Sequence, residues 1–387
     1  MSVVERVISV NYRHQLHFTD RVFARDNPVL ASVLVGGSSQ STAARVKVLL
    51  VLEEALAAAR PELAPEMEAY FGAHSQNLQL VCPPVRVTGG EVVKNDWSRV
   101  VEILELIHRH HIDRHNYVVV MGGGALLDMV GLAAATAHRG VRLIRIPTTT
   151  LAQADSGIGV KNGVNLFQKK NWLGSFAVPW GVINDRTLLE TLSDRDFRCG
   201  FSEAVKVSLL KDAAFFNRIL RDAESIAARG PACWPVIQES AQWHLRHITT
   251  GGDPFEMLEA RPLDYGHWSA HKLETMSNFE LRHGEAVAIG VAVDTVYSSL
   301  VHRLPTEDAD RVLMALEQLG LLFGHPALQQ TNELFNGLEE FRQHLGGQLT
   351  ITMLEAIGHP INVHDINWER MVEAIQIVVD RVQARSR

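Results

Sequence analysis

Two histidines stand four residues apart in LDYGHWSAHKLE, His267 and His271, and a third, His283, opens LRHGEAVAIG with Gly284 and Glu285 behind it. Spacing of four puts the first pair on one helical face. Two histidines from separate helices plus a carboxylate form a ligand set for a zinc-like ion with a position left open. Upstream, VVVMGGGALLDM runs a strand through Gly122, Gly123 and Gly124 into a helix bearing Asp128. Glycine admits close backbone approach, and a helix N-terminus offers free N–H groups to a phosphate. A tight strand-to-helix turn without a ligand has the same composition, so both readings stay open. The stretch PTTTLAQADSGIGVKNGVNLFQKKN packs Thr148, Thr149, Asp155, Lys161, Asn165, Lys169, Lys170 and Asn171 among glycines. Hydroxyls, amides and lysines in that density make a poor core and a good polyanion cradle. Glu203 and Lys206, one turn apart in FSEAVKVSLLK, read by themselves as a solvated helix face. The tract IHRHHIDRH, with His108, His110, His111 and His115, reads as the polar end of an amphipathic helix, not a metal site.

The elements that must hold these residues change character along the chain. PVLASVLVGG reads as a strand ending at Gly36 and Gly37, VKVLLVLEEALAAA as a helix, and LQLVCPPVRVTGG as extended. WSRVVEILELI places Trp97, Val100, Val101, Leu104 and Ile107 on one helical face. YVVVMGGG and VRLIRIPTTT are strands around the helix ALLDMVGLAAATAH. Alternating strands and helices imply a parallel sheet with crossover helices. After about Asp185 the period is helical until LTITML. The expected fold is therefore α/β: a Rossmann-like parallel-sheet domain over 1–185, then a mostly α-helical domain over 186–387. With 387 residues, 46% of them apolar, two cores can be filled. A net charge of −7 argues against nucleic acid or an anionic membrane as partner. Three cysteines without a CxxC pair suggest neither a disulfide scaffold nor a thiolate zinc site. No leader and no apolar run long enough to span a membrane is read in the sequence, so a cytoplasmic location is expected.

In their order, GGGxxxD, PTTxLxQxD, GxK…N…KN, ExxK, GHxxxH and HGEAVAxG resemble the sugar phosphate cyclases, the family of 3-dehydroquinate synthase, from about Glu91 to about Gly358. The resemblance implies a dehydroquinate synthase-like fold, NAD and a divalent ion, zinc or cobalt, as cofactors, a sugar phosphate as the small-molecule substrate, and a homodimer. It makes Glu203, His267 and His283 the metal ligands. Glu91, Lys94, Gly122, Gly123, Gly124, Asp128, Thr148, Thr149 and Lys170 become cofactor positions. Asp155, Lys161, Lys206 and His271 become the catalytic positions, and Arg139, Asn171, Arg246 and Arg342 fall around the substrate phosphate and its neighbours, Arg139 from across a dimer interface. The implied reaction is transient oxidation of a ring alcohol by NAD, β-elimination of phosphate, return of the hydride, ring opening and an intramolecular aldol closure.

The chain departs from dehydroquinate synthases where those bind the substrate carboxylate. Arg246 stands at the lysine position, Ala260 at the arginine position with Arg261 beside it, and Asp264 at the asparagine. A buried carboxylate needs a paired cation, so an acid added there disfavours an anionic substrate group. GVKNGVN leans towards cyclases of sedoheptulose 7-phosphate, although those replace the second histidine by proline and His271 remains. The pattern looks most like the branch of the Ebo gene cluster. The expected substrate is a carboxylate-free ketose phosphate, with true 3-dehydroquinate synthase as the alternative. A metal-dependent glycerol or alcohol dehydrogenase would share the GGGxxxD turn but not the lysine-rich cradle, and a non-catalytic binding module would not need an intact ligand set.

Overall fold

Val48, Leu49, Leu50, Val51 and Leu52 are all fully buried. A run buried on both faces belongs to the middle of a parallel sheet, and VKVLLVLE is strand β2 (Val46–Glu53), followed by only a short helix, Glu54–Ala59. The sequence reading of one long helix here is corrected: an unbroken apolar run carries no periodicity to separate a central strand from a helix. The converse correction applies to PVLASVLV, which is a helix, Val29–Val35. Its buried residues Leu30, Val33 and Leu34 follow the i, i+3, i+4 pattern, and the Asn27 side chain accepts from the Val29 N–H at its start.

The structure is a computed structural model that describes residues 3–36, 45–167, 169–251, 253–256, 263–301, 304–344 and 349–385. Gly37, Ala260 and Arg261 lie outside the described residues. The chain divides into two compact units, Met1–Pro147 with Val160–Thr187, and Thr148–Gly159 with Leu188–Arg387.

The first unit is built on a parallel sheet. Besides β2 it holds β1 (Leu16–Thr19), β3 (Leu78–Leu80), β4 (Val85–Val87), β5 (Tyr117–Gly122), β6 (Arg142–Pro147) and β9 (Gly181–Asp185). The order is β1-β9-β6-β5-β2-β3, with β4 also paired to β2. β5 is buried throughout and ends in the glycines that start the Gly124–Thr136 helix. A separate antiparallel hairpin, β7 (Lys161–Leu166) with β8 (Lys169–Phe176), carries the lysine-rich segment. The Trp97–Arg109 helix forms as expected, but its buried face is Val100, Ile103 and Ile107, while Trp97 and Val101 are exposed.

Among its described residues the second unit is helical apart from the hairpin of β10 (Ile351–Ala356) and β11 (His359–Val363). At its centre is the His283–Val301 helix, with an unbroken buried run from Gly284 to Ser298. It is long and apolar enough to cross a membrane, which the sequence reading had not found, yet 83% of its apolar window is buried inside the unit. The helices Asp194–Lys211, His267–Met276, Thr306–Gln318 and Trp368–Arg385 pack directly on it. The His267–Met276 helix meets it backbone to backbone. Gly266 has φ +78°, and a Cβ there would lie 2.5 Å from the Val291 nitrogen; a Cβ on Gly290 would lie 2.0 Å from the Gly266 carbonyl oxygen. Gly290→Ala should therefore cost about 1–3 kcal/mol through overpacking. Urea unfolding reads this directly, and an unchanged midpoint would refute the close approach.

Candidate functional site

In the second unit, charge is concentrated at Lys206. Glu203 and Lys206 lie on the Asp194–Lys211 helix, and both are almost fully buried, at 1% and 3% exposure. The reading of this pair as a solvated face is corrected. The i, i+3 spacing fits either face, and here the tertiary fold turns it inward. Lys206 Nζ is 2.5 Å from Glu203 Oε2 and 3.6 Å from Asp155 Oδ2. Burial penalises both charges. Lys206 outweighs that penalty and holds the Glu203 carboxyl well below the usual range, while Glu203 and Asp155 together raise the Lys206 pKa.

Glu203 also faces two histidines. His267 Nε2 and His283 Nε2 are each 3.6 Å from Glu203 Oε1, and the ligand atoms of the three residues lie within 4.8 Å of one another. Two ligands about 2.1 Å from one ion at the tetrahedral angle sit roughly 3.4 Å apart. Glu203 Oε1 faces both imidazole nitrogens at 3.6 Å, too long for a good hydrogen bond. The donor set and its spacing fit a divalent ion of the zinc type. The far ring nitrogens are also engaged: His283 Nδ1 is 3.1 Å from Glu274 Oε2, and His267 Nδ1 is 3.2 Å from the Tyr265 carbonyl oxygen. Such outer contacts fix tautomer and ring orientation. Burial would lower the His283 pKa, but Glu274 and Glu203 outweigh it and push it up to about 10. His271 is exposed, its ring 5.4 Å from that of His267 and 5.9 Å from that of His283. Glu285, the carboxylate that follows His283 in sequence, does not join them. Arg195 clamps both its oxygens at 2.6 Å, and it accepts from the Arg282 N–H.

His267 is held in place from the core helix. Asp294 accepts from the Gly266 N–H at 2.9 Å and from Trp268 Nε1 at 2.9 Å, one bond on either side of the ligand. Tyr265 Oη lies 2.8 Å from Thr295 Oγ1. Burial pushes the Asp294 carboxyl up to about 7, against the pull of those two hydrogen bonds.

The first unit makes a second polar cluster. Lys94, buried in the Glu91–Asn95 turn, donates to Asp128 Oδ2 at 2.9 Å and to the Asn171 side chain. Asn165 ties this group together, donating to Glu91 at 3.1 Å and accepting from the Asn171 N–H at 2.9 Å. Lys170 Nζ is 4.0 Å from Glu91 Oε1. Arg145, fully buried on β6, donates to the Lys161 carbonyl at 3.0 Å and to Asn162 Oδ1 at 2.7 Å. Gly123 caps the helix, and its N–H donates to Glu53 Oε2 at 2.7 Å. A Cβ on Gly122 would lie 2.9 Å from that same oxygen.

Of the sequence-derived residues, the structure thus brings together Glu203, His267, His283, His271, Lys206 and Asp155 in one unit, and Glu91, Lys94, Asp128, Asn171 and Lys170 in the other, beside the Gly122–Gly124 turn. Lys161 is exposed at the head of β7. Thr148 is buried, and Thr149 accepts from the Ala152 N–H at 3.1 Å, shaping the segment that carries Asp155. Arg139 is exposed in a left-handed turn at φ +62°. Arg246 is exposed, its guanidinium 5.0 Å from the Trp243 ring, and Arg342 pairs with Glu339 on its own helix. His108 is exposed in the last turn of the helix, and His111 and His115 are exposed beyond it, as a solvated connection requires. Glu53, Arg145, Glu274 and Asp294 were not found from sequence. Glu274 alone left a signal, three residues after His271 on the same helical period.

A seven-stranded sheet, a glycine turn with a buried lysine–aspartate pair, and a Glu–His–His set beside a buried lysine together define a sugar phosphate cyclase. Residues 84–199 match the family model for the N-terminal part of 3-dehydroquinate synthase, and residues 200–344 match that for its C-terminal part. A 3-dehydroquinate synthase of Ruegeria sp. (strain TM1040) is 32% identical over 345 residues, covering 88% of this chain and 90% of the relative. The chain belongs to the 3-dehydroquinate synthase family, whose members are carbon–oxygen lyases. Among solved structures, 2-epi-5-epi-valiolone synthase from Streptomyces hygroscopicus subsp. jinggangensis 5008, with NAD+ and Zn2+ bound, aligns with a TM-score of 0.84 at 27% identity over 98% of this chain and 99% of that one. A 2-deoxy-scyllo-inosose synthase complexed with carbaglucose-6-phosphate, NAD+ and Co2+ shares the fold, at TM-score 0.73 and 22% identity over 94% of this chain and 96% of that one.

Two outcomes follow from this geometry. Because the Asp294 pKa is raised on folding, its stabilising contribution is fully present below the ordinary carboxylate range and is lost as pH rises through about 7. In denaturant melts from pH 5 to pH 8, Asp294→Asn should therefore lose less stability across the range than the parent protein; parallel profiles would contradict the raised value. Lys206→Met leaves two carboxylates without their cation and should cost about 3–5 kcal/mol in the metal-free protein. Part of that loss should return on adding zinc, since an ion at Glu203 supplies positive charge; calorimetric melts with and without zinc measure both.

Proposed function

We propose that the protein cyclises a carboxylate-free ketose phosphate, sedoheptulose 7-phosphate or a close analogue, with elimination of phosphate, using NAD catalytically and a divalent ion, zinc or cobalt. The observation that carries the substrate class is the charge around Lys206. Asp155 and Glu203 already pair with it, and Asp264 adds a third carboxylate whose field raises its pKa. A further carboxylate brought by the substrate would enter this field without a spare buried cation among the described residues, at a cost of several kcal/mol. Sugar hydroxyls carry no such penalty.

Glu203, His267 and His283 would hold the ion, which when bound supplies a Lewis acid for a ring alcohol and the carbonyl derived from it. NAD supplies a hydride acceptor that is regenerated within the cycle. Glu53, Lys94, Asp128 and the Gly122–Gly124 turn are the groups of the first unit suited to it: a helix N-terminus for the phosphates and carboxylates for hydroxyls. Asp155 is placed to accept from a substrate hydroxyl, with Lys206 beside it to steady charge that develops on oxygen. In the second unit His271 supplies a donor for the substrate phosphate, and Lys161 and Asn171 are polar donors carried by the first. The reading includes a homodimer in which the exposed Arg139 serves the neighbouring subunit. It also includes a cytoplasmic setting, which suits three free cysteines.

The second reading, 3-dehydroquinate synthase itself, is favoured by the name carried by relatives at 32% identity. The two separate in one assay. The zinc-loaded protein with NAD is incubated with sedoheptulose 7-phosphate or with 3-deoxy-arabino-heptulosonate 7-phosphate, and released phosphate is measured. Release from the first sugar alone is expected. Release from the second alone would overturn the carboxylate argument. Net accumulation of NADH with either would point instead to a dehydrogenase.

A further inference from the structure

Asp155 sits in a widened π-helical turn, Ala152–Ser156, at the end of a short segment. Such turns are uncommon and need outside support. That support comes from the Cys233–Thr250 helix, which presents two residues four apart, hence on one face. Ser240, buried, donates from Oγ to the Ala154 carbonyl at 3.2 Å. His244 places Nδ1 2.9 Å from Asp155 Oδ1. The other oxygen, Oδ2, is the one that faces Lys206 at 3.6 Å. The carboxylate is therefore gripped on one oxygen from one helix and attracted on the other from a second helix, and its plane is fixed by both.

We propose that His244 is a positioning residue for Asp155. Its Nδ1–H donates to Oδ1, which sets the carboxylate so that Oδ2 is presented to Lys206 and to a substrate hydroxyl. This rests on reading the Asp155–Lys206–Glu203 cluster as a sugar phosphate site. Without His244, electrostatic attraction to Lys206 still holds Asp155 nearby but no longer selects one rotamer. Released from its 2.9 Å partner, the carboxylate can turn either oxygen to Lys206, which lies 3.6 Å from Oδ2. The same geometry dictates which replacement restores function. An asparagine amide reaches the place of Nδ1, and a glutamine amide reaches the place of Nε2.

The test uses the zinc-loaded, full-length protein and the variants His244→Phe, His244→Asn and His244→Gln. His244→Phe should lower kcat roughly 10–100-fold, the range expected when a reacting group loses its orientation, with zinc and NAD affinities unchanged. His244→Asn should recover most of that loss, and His244→Gln should not. Equal activity of all three variants and the parent, or equal recovery by asparagine and glutamine, overturns the proposal. A second readout is independent of turnover. Long-range 1H–15N spectra of histidine-labelled protein should show the ring signal that disappears in His244→Phe as Nδ1-protonated, and shifted in Asp155→Ala. A ring protonated at Nε2 alone and indifferent to Asp155→Ala overturns the proposal even if no sugar phosphate is turned over. Absence of phosphate release by the parent protein overturns the functional reading and leaves the spectra to decide on His244.

Discussion

A single buried ammonium group organises the second unit. Lys206 has almost no contact with solvent, and it is tolerable there only because Glu203 and Asp155 stand on either side of it. The dependence is mutual. Glu203 is buried at 1% exposure, faces two imidazoles, and remains an anion because Lys206 compensates it. Asp155 comes from a segment far away in sequence, residues 148–159, that belongs to this unit. One ion pair thus joins the ligand set to the turn that carries a candidate substrate-binding acid. Broken buried pairs are costly because the surviving charge has no water to relax into. The same low dielectric makes these groups effective on charge that develops nearby.

The first unit repeats the device on a smaller scale. Lys94 is buried and pairs with Asp128, one turn into the helix that follows the glycine turn. Arg145, fully buried beneath it, lies 4.0 Å from the same acid and also ties β7 to β6. In both units a cation without solvent is held in place by acids, so orientation is prepaid when the protein folds and is not drawn from the binding of a ligand.

Placement of His267 depends on a different constraint, the close approach of two helices. Gly266 and Gly290 let the backbones touch, and Asp294 and Thr295 bind the residues on both sides of the ligand. The apolar core helix therefore does chemistry only indirectly. It carries His283 at its first residue, and about two to three turns further on it supplies the contacts that aim its partner.

The sequence by itself determined the chemistry-bearing motifs, the parallel sheet followed by helices, and the family, because glycine turns, hydroxyl-rich strand ends and histidine spacing are local features. It also distinguished the solvated IHRHHIDRH tract from the ligand set. It could not determine which of two identical patterns faced inward. Glu203 and Lys206 look like any surface pair until the fold buries them, and an unbroken apolar run such as VKVLLVL has no period to mark it as a strand. Glu285, two residues after His283, is turned to Arg195, while Glu203, 80 residues before His283, faces both histidines. His244, Asp294 and Glu53 were silent for the same reason: a carboxylate or an imidazole acquires its role from groups that the chain brings beside it, and the identity of those groups is settled only by tertiary packing.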